Sequence, residues 1–247
     1  MSYNQVILLK DFDINKVNFE AVTKNARNGK SVRITYDTTK QPLRIQLPEM
    51  FIPFEMKQHQ DDMRPGEFTY NFEAALQGYD EEGSKMHELY TKLKQLDEKV
   101  LSTCVERSVE WLGEAKKPDV VEEFHRKLVR QNNPKYSPIL KVKAMKLNAN
   151  GDMPKVFDKT NNNMPLEITA LTKGAKARLI VTIPSVWLVN KNFGVSVKLF
   201  QACVTSRPAV SSSDYAFKDE DEDQEVTQSA NDAEVDAWYH AQKTLTK

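Results

Sequence analysis

The chain has 247 residues, with 40% hydrophobic and 28% charged, which fits a soluble globular protein of one large or two small domains. Thirty-five Lys and Arg balance 35 Asp and Glu, so the formal net charge is zero. No apolar run approaches the ~20 residues that span a bilayer, and the opening MSYNQVILLKDFD has no cleavage-like site, which argues against a secretory signal and for an intracellular protein without a membrane partner.

Strand-like alternation begins early. SVRITYD (31–37) puts Val32, Ile34 and Tyr36 on one face and Arg33 on the other. LRIQL (43–47) sets Leu43, Ile45 and Leu47 against Arg44. FTYNF (68–72) aligns Phe68, Tyr70 and Phe72, a trio that suits a core or a stacking surface. Two helical stripes follow. In 84–112, apolar residues from Met86 to Leu112 recur at three- and four-residue steps, with Ser84 placed to cap. In 119–130, Val120, Val121, Phe124, Leu128 and Val129 make a second stripe, with Pro118 suited to its first turn.

Strands then resume. ILKVKAM (139–145) alternates Leu140, Val142 and Ala144 with Lys141, Lys143 and Met145. Residues 148–165 read as a mobile hairpin loop, LEITAL (166–171) as a strand, and TKGAK as a turn. ARLIVTI (177–183) is a strand carrying Arg178, and Pro184 marks an edge or bulge after it. In 186–204, VNKNFG reads as a hairpin turn. Val195, Val197 and Leu199 then face one way, with Ser196, Lys198 and Phe200 opposite. The order is strands, a helical insertion at about 82–130, then strands. It lacks the strand–helix–strand alternation of a parallel doubly wound sheet. A mainly β fold with inserted α-helices, a small barrel or sandwich, is expected.

The neutral total hides a separation. Residues 211–247 hold ten acids and three bases, a net of −7, and residues 1–210 hold 32 bases and 25 acids, a net of +7. RPAVSSSDY (207–215) has linker chemistry, and KDEDEDQEV (218–226) concentrates the acid. Composition alone makes 207–247 a disordered acidic tail following a domain at 1–206.

Catalytic and metal signatures are thin. The four histidines (59, 87, 125 and 240) lack ligand spacing, and Cys104 and Cys203 are expected to be buried free thiols. NGKS (28–31) resembles the end of a phosphate-binding loop, but the motif's first glycine position is Lys24 and a strand follows, so it reads as a turn. No cofactor is called for, and an enzyme is not expected. What the strands do carry is bases: Arg33, Arg44, Lys141, Lys143, Arg178 and Lys198 each oppose apolar partners. Aromatics share the setting, among them Phe54, Trp187, Phe193 and Phe200, with Lys191 at the tip of the hairpin turn. Cations neutralise phosphates and ring faces stack bases, the two needs of a single-strand groove. Trp187 and Phe193 equally suit pinning the turn.

YSPILKVK (136–143), SVWLVNKNFGVSVKLFQACV (185–204), LRIQLPEMFIPFEM (43–56) and DEDEDQE (219–225) together resemble a known family. It is the OB-fold single-stranded-DNA-binding proteins of phages and large nucleocytoplasmic DNA viruses, with an acidic C-terminal tail. The resemblance implies a five-stranded Greek-key barrel with an inserted helix. It implies coating of single-stranded DNA in viral DNA replication, recombination or repair, in the host cell nucleus or a cytoplasmic replication site. It also implies a tail that recruits replication proteins such as a polymerase or helicase and sometimes supports a homodimer. The tail residues in question are Asp219, Glu220, Asp221, Glu222, Asp223 and Glu225, with Trp238 and Tyr239 as counterparts of a terminal aromatic. HAQKTLTK then follows, where relatives can end on the aromatic. The competing expectation is an acidic-tailed structural or interaction protein that binds no nucleic acid.

Overall fold

The computed structural model describes residues 6–24, 29–38, 41–61, 64–147 and 151–208. The acidic run and Trp238–Tyr239 lie outside the described residues. In chain order the elements are β1 (Ile7–Leu8), β2 (Val17–Lys24), β3 (Lys30–Tyr36), β4 (Gln41–Phe51), β5 (Lys57–Asp61) and β6 (Arg64–Ala75). The helices α1 (Lys85–Glu106), α2 (Ser108–Leu112) and α3 (Pro118–Phe124) come next, followed by β7 (His125–Arg126), β8 (Val129–Arg130) and β9 (Ile139–Ala144). The chain continues through β10 (Lys155–Asp158), β11 (Met164–Leu166), β12 (Lys176–Ile183), β13 (Ser185–Val189), β14 (Asn192–Val195) and β15 (Lys198–Ser206).

Period-two alternation builds the barrel. Leu43, Ile45 and Leu47 of β4, Phe72 and Ala74 of β6, and Leu140, Val142 and Ala144 of β9 are buried. So are Leu179, Val181 and Ile183 of β12 and Leu199, Ala202 and Val204 of β15. Each large aliphatic side chain removed from water stabilises the fold by about 1.5–3 kcal/mol. The strands that supply them pair in a closed ring: β4 with β6, β6 with β9, β9 with β15, β15 with β12, and β12 back to β4. Only β9 and β15, third and fifth in order, run parallel; the other four pairings are antiparallel. This is the five-stranded Greek-key barrel of an OB-fold.

A second sheet extends the barrel through β3, β13 and β14, with β2 and β7 on its margins. The β13–β14 hairpin grows from the connection between the fourth and fifth barrel strands. Its two-residue turn has Asn190 at φ 48° and Lys191 at φ 69°, the geometry whose twist matches flanking strands. Pro184 sits where the chain leaves β12 and enters β13. It has no N–H to give to a ladder, and its carbonyl accepts from the Ile34 N–H at 2.8 Å.

Ser84 caps α1, its hydroxyl accepting from the His87 N–H at 3.0 Å. Met86, Leu89, Leu93, Leu96, Val100 and Cys104 form the buried stripe, and burial pushes the Cys104 thiol up to about 12. Lys99 of α1 donates to the carbonyls of Ile14 and Val17, both at 2.8 Å, which ties the helix to the N-terminal segment.

Four expectations need correction. The stripe over 84–112 is two helices broken at Arg107. The second stripe starts with Pro118 as expected but ends at Phe124, because His125 turns extended and pairs with Phe193 of β14. The stretch read as a mobile hairpin loop is a hairpin, β10 pairing antiparallel with β11, but one built of strands and tied to the barrel by the parallel pairing of β10 with β15. LEITAL is not a strand: β11 ends at Leu166 and Ile168–Ala170 form a 3-10 turn. Beyond β15, Arg207 pairs with the buried Asp158 carboxylate, which fixes the last described turn of the chain.

Candidate nucleic-acid interface

On β9, Lys141 and Lys143 point out of the barrel while their neighbours Leu140, Val142 and Ala144 fill it. The register sets Lys141 opposite Glu73 and Lys143 opposite Asn71 on β6. The first and only lateral step from β9 to β15 pairs Lys143 with Lys198. Three ammonium groups therefore crowd one patch. Partial burial, then repulsion from Lys141 and Lys198, lowers the Lys143 pKa from the ordinary lysine range.

This patch floors a groove. Two adjoining hollows, of about 580 and 570 Å³, share Arg130, Asn132 and Lys141. At one end stand Phe54, Lys57 and His59, from the connection between the first two barrel strands. At the other end stand Trp187, Val195 and Ser196, from the β13–β14 hairpin. The wall is the segment after α3, with Arg126, Lys127 and Arg130. Seven Lys and Arg against two Glu line the two hollows, among the described residues. One of those acids, Glu73, is held by Arg130 at 3.6 Å, and the other, Glu55, accepts from the Thr172 hydroxyl at 2.7 Å.

The wall is held from behind. Asp97 of α1 takes the His125 Nε2–H at 3.1 Å and the Leu128 N–H at 2.7 Å, all in buried surroundings. The His125 ring stacks on Phe193, centroids 5.1 Å apart. Trp187 is placed by an absence. A Cβ at Gly194, its register partner, would lie 2.9 Å from the indole and 2.8 Å from the Arg126 carbonyl oxygen, so only glycine lets ring and strand approach this closely.

The family described as "Family of unknown function (DUF5871)" matches residues 81–219, more than half of the chain. The chain belongs to this family. Its matched span in the chain begins just before α1 and takes in the wall, β9 with its two lysines, and the β13–β14 hairpin. Phe54, Lys57 and His59 precede it. No curated protein matches the sequence. Similar solved structures include the single-stranded DNA-binding protein from bacteriophage Enc34, at 10% identity and TM-score 0.38, covering 81% of this chain and 99% of that one. The same phage protein in complex with single-stranded DNA shows 9% identity and TM-score 0.38, over 76% of this chain and 96% of that one. Its C-terminal truncation gives 10% identity and TM-score 0.37, over 78% and 97%.

Of the residues expected at a site, this DUF5871 member brings Lys141, Lys143 and Trp187 into the groove, with Lys198 beside it. Phe193 is a correction: it is fully buried against His125, so no ring face is left for a base. Lys191 is exposed at the hairpin tip, but its charge acts on Glu114 beyond α2 and it does not line the groove. Arg33 pairs with Glu20 at 3.9 Å on the second sheet. Arg44, Arg178 and Phe200 lie on the outer face of β4, β12 and β15, away from the two hollows. Of the aromatic trio on β6, Phe72 is core, while Phe68 is exposed and Tyr70 half-buried. Sequence reasoning missed Arg126, Lys127 and Arg130. Their signal was present as HRKLVR (125–130), a base-rich run read as the end of a helix. No group of three or more His, Cys, Asp or Glu is arranged to hold a metal ion among the described residues.

Proposed function

We propose that this protein binds single-stranded DNA, without sequence preference, along the groove over β6 and β9. One observation carries the reading. A lysine floor runs between aromatic ends, on the second and third barrel strands and between the loops that OB barrels use to hold oligonucleotides. Phosphates meet Lys141, Lys143 and the Arg126–Arg130 wall, and unpaired bases meet the rings of Phe54, His59 and Trp187. A duplex hides its base faces and gains only the charge term. Titrating tryptophan fluorescence with single-stranded and duplex oligonucleotides across salt tests this. Single strands should bind more tightly, perturb Trp187 and weaken steeply with salt. Equal affinity for duplex, or no binding at low salt, overturns it.

In the same reading the protein coats single strands during viral DNA replication, recombination or repair, as the resemblance of YSPILKVK and its companion stretches implies. Residues 211–247, with net charge −7, compete with DNA for the groove and recruit a polymerase or helicase. Tethering supplies an effective concentration in the mM range for a flexible linker, while screening over ~8 Å at physiological salt keeps the competition reversible. Deleting 211–247 is expected to tighten single-strand binding, most at low salt. A truncated chain that binds no better removes the competition.

A further inference from the structure

The register of β15 against β12 slips twice, once at Thr205 near its end and once in its middle. Ile180 of β12 pairs with Gln201 and Val181 with Leu199, which leaves Phe200 unmatched. A bulge re-aims a side chain. Here it turns two successive residues outward, Phe200 and Gln201, between the buried Leu199 and Ala202. Across β12, Arg44 reaches this ring: its guanidinium carbon lies 3.7 Å from the Phe200 centroid. Arg44 Nε donates to the Thr182 hydroxyl at 3.4 Å, so the fork is held from two sides. Arg44 and Phe200 are both half-buried, leaving part of the stack in solvent.

The register connects this stack to the groove. Asn71, Lys143, Lys198, Thr182 and Arg44 are successive partners across β6, β9, β15, β12 and β4. They form one row at right angles to the strands, on the outer face. Three interstrand steps from Lys143 to Arg44 span about 15 Å along the curved sheet. A polymer that leaves the groove floor over Lys143 meets Lys198 next, and then the Phe200–Arg44 stack.

We propose that the single strand continues out of the groove across β15, with Lys198 taking a phosphate and the Phe200–Arg44 stack taking a base as a second subsite. This rests on the single-strand reading of the groove. Arginine planes and aromatic rings both stack bases regardless of sequence, and Arg44 brings a charge that no physiological pH removes.

The test compares thymidine oligomers of about eight and about sixteen nucleotides, within the range of OB-fold site sizes, on the full chain. Phe200→Leu keeps the apolar volume, and Arg44→Lys keeps the charge. Each should leave the short oligomer bound as in the wild type and weaken the long one about tenfold, with a smaller occluded site. Long-oligomer affinity within twofold of wild type in both variants overturns the proposal. Photocrosslinking of 5-iodouracil oligomers to the wild-type chain needs no variant. Crosslinks at the β15 peptide containing Phe200 are expected with the long oligomer alone, and their absence overturns the second subsite. The groove reading fails separately, by loss of binding at both lengths in the wild type.

Discussion

Replacing Lys141 and Lys143 together by alanine is expected to weaken single-strand binding about 25-fold at ~0.1 M salt, equally for every base sequence. Each phosphate neutralised on a single strand contributes about 0.7 to the slope of log affinity against log salt, or roughly fivefold at that concentration. The double variant should therefore flatten the slope by about 1.4. Fluorescence anisotropy across a salt series reads both quantities. The fold should be untouched. Both side chains point outward, and Glu73, the register partner of Lys141, keeps Arg130 at 3.6 Å. An unchanged slope would remove these lysines from the DNA path.

The same patch has a pH signature. Burial, then Lys141 and Lys198, lowers the pKa of Lys143, so the free protein gives up this proton earlier than an ordinary lysine does. A bound phosphate favours the ammonium and raises the pKa again. The contribution of Lys143 to binding is thus complete below the lowered pKa of the free protein and declines as pH rises above it. Lys143→Arg keeps its charge through that range and should remove the alkaline decline.

Much of this was legible because a barrel strand needs only local alternation. Leu140, Val142 and Ala144 go in, so Lys141 and Lys143 must come out, and the sequence states both. The Asn190–Lys191 turn was legible for a similar reason, since turn chemistry is local. What failed depended on partners far along the chain. HRKLVR continues a helical period, yet His125 is claimed by Asp97, 28 residues earlier, and paired with Phe193, 68 later. Phe193 shares the parity of Val195, Val197 and Leu199, so alternation allowed it a place in the core, but its position beside the turn offered a stacking role too, and its stack on His125 decides for the core. Arg44 and Phe200 face outward as their patterns required. On a closed barrel, however, outward means five different directions, and strand order decides which of them looks into the groove.

Asp97→Ala is expected to cost about 3 kcal/mol of stability. The carboxylate accepts two donors in buried surroundings, His125 Nε2–H at 3.1 Å and Leu128 N–H at 2.7 Å. Alanine leaves both without a partner, and each orphaned buried donor costs about 1–3 kcal/mol. In a domain of this size that lowers Tm by about 6–12 °C, which thermal unfolding measures directly. Asp97→Asn retains one carbonyl acceptor for the Leu128 N–H, and its amide can donate to a neutral imidazole. It should recover much of the loss, which a purely volumetric role for Asp97 would not allow. The defect should also reach the DNA. The segment that carries Arg126, Lys127 and Arg130 hangs on this carboxylate and on the His125–Phe193 stack. Loosening it withdraws the wall while Lys141 and Lys143 stay on the barrel. Single-strand affinity should fall in Asp97→Ala even at temperatures where the protein is fully folded, and the lysine-dependent part of the salt slope should survive. If Asp97→Ala melts within about 2 °C of the wild type, less than a single orphaned donor would cost, the carboxylate does not hold the wall, and the groove must owe its shape to the β7–β14 pairing alone.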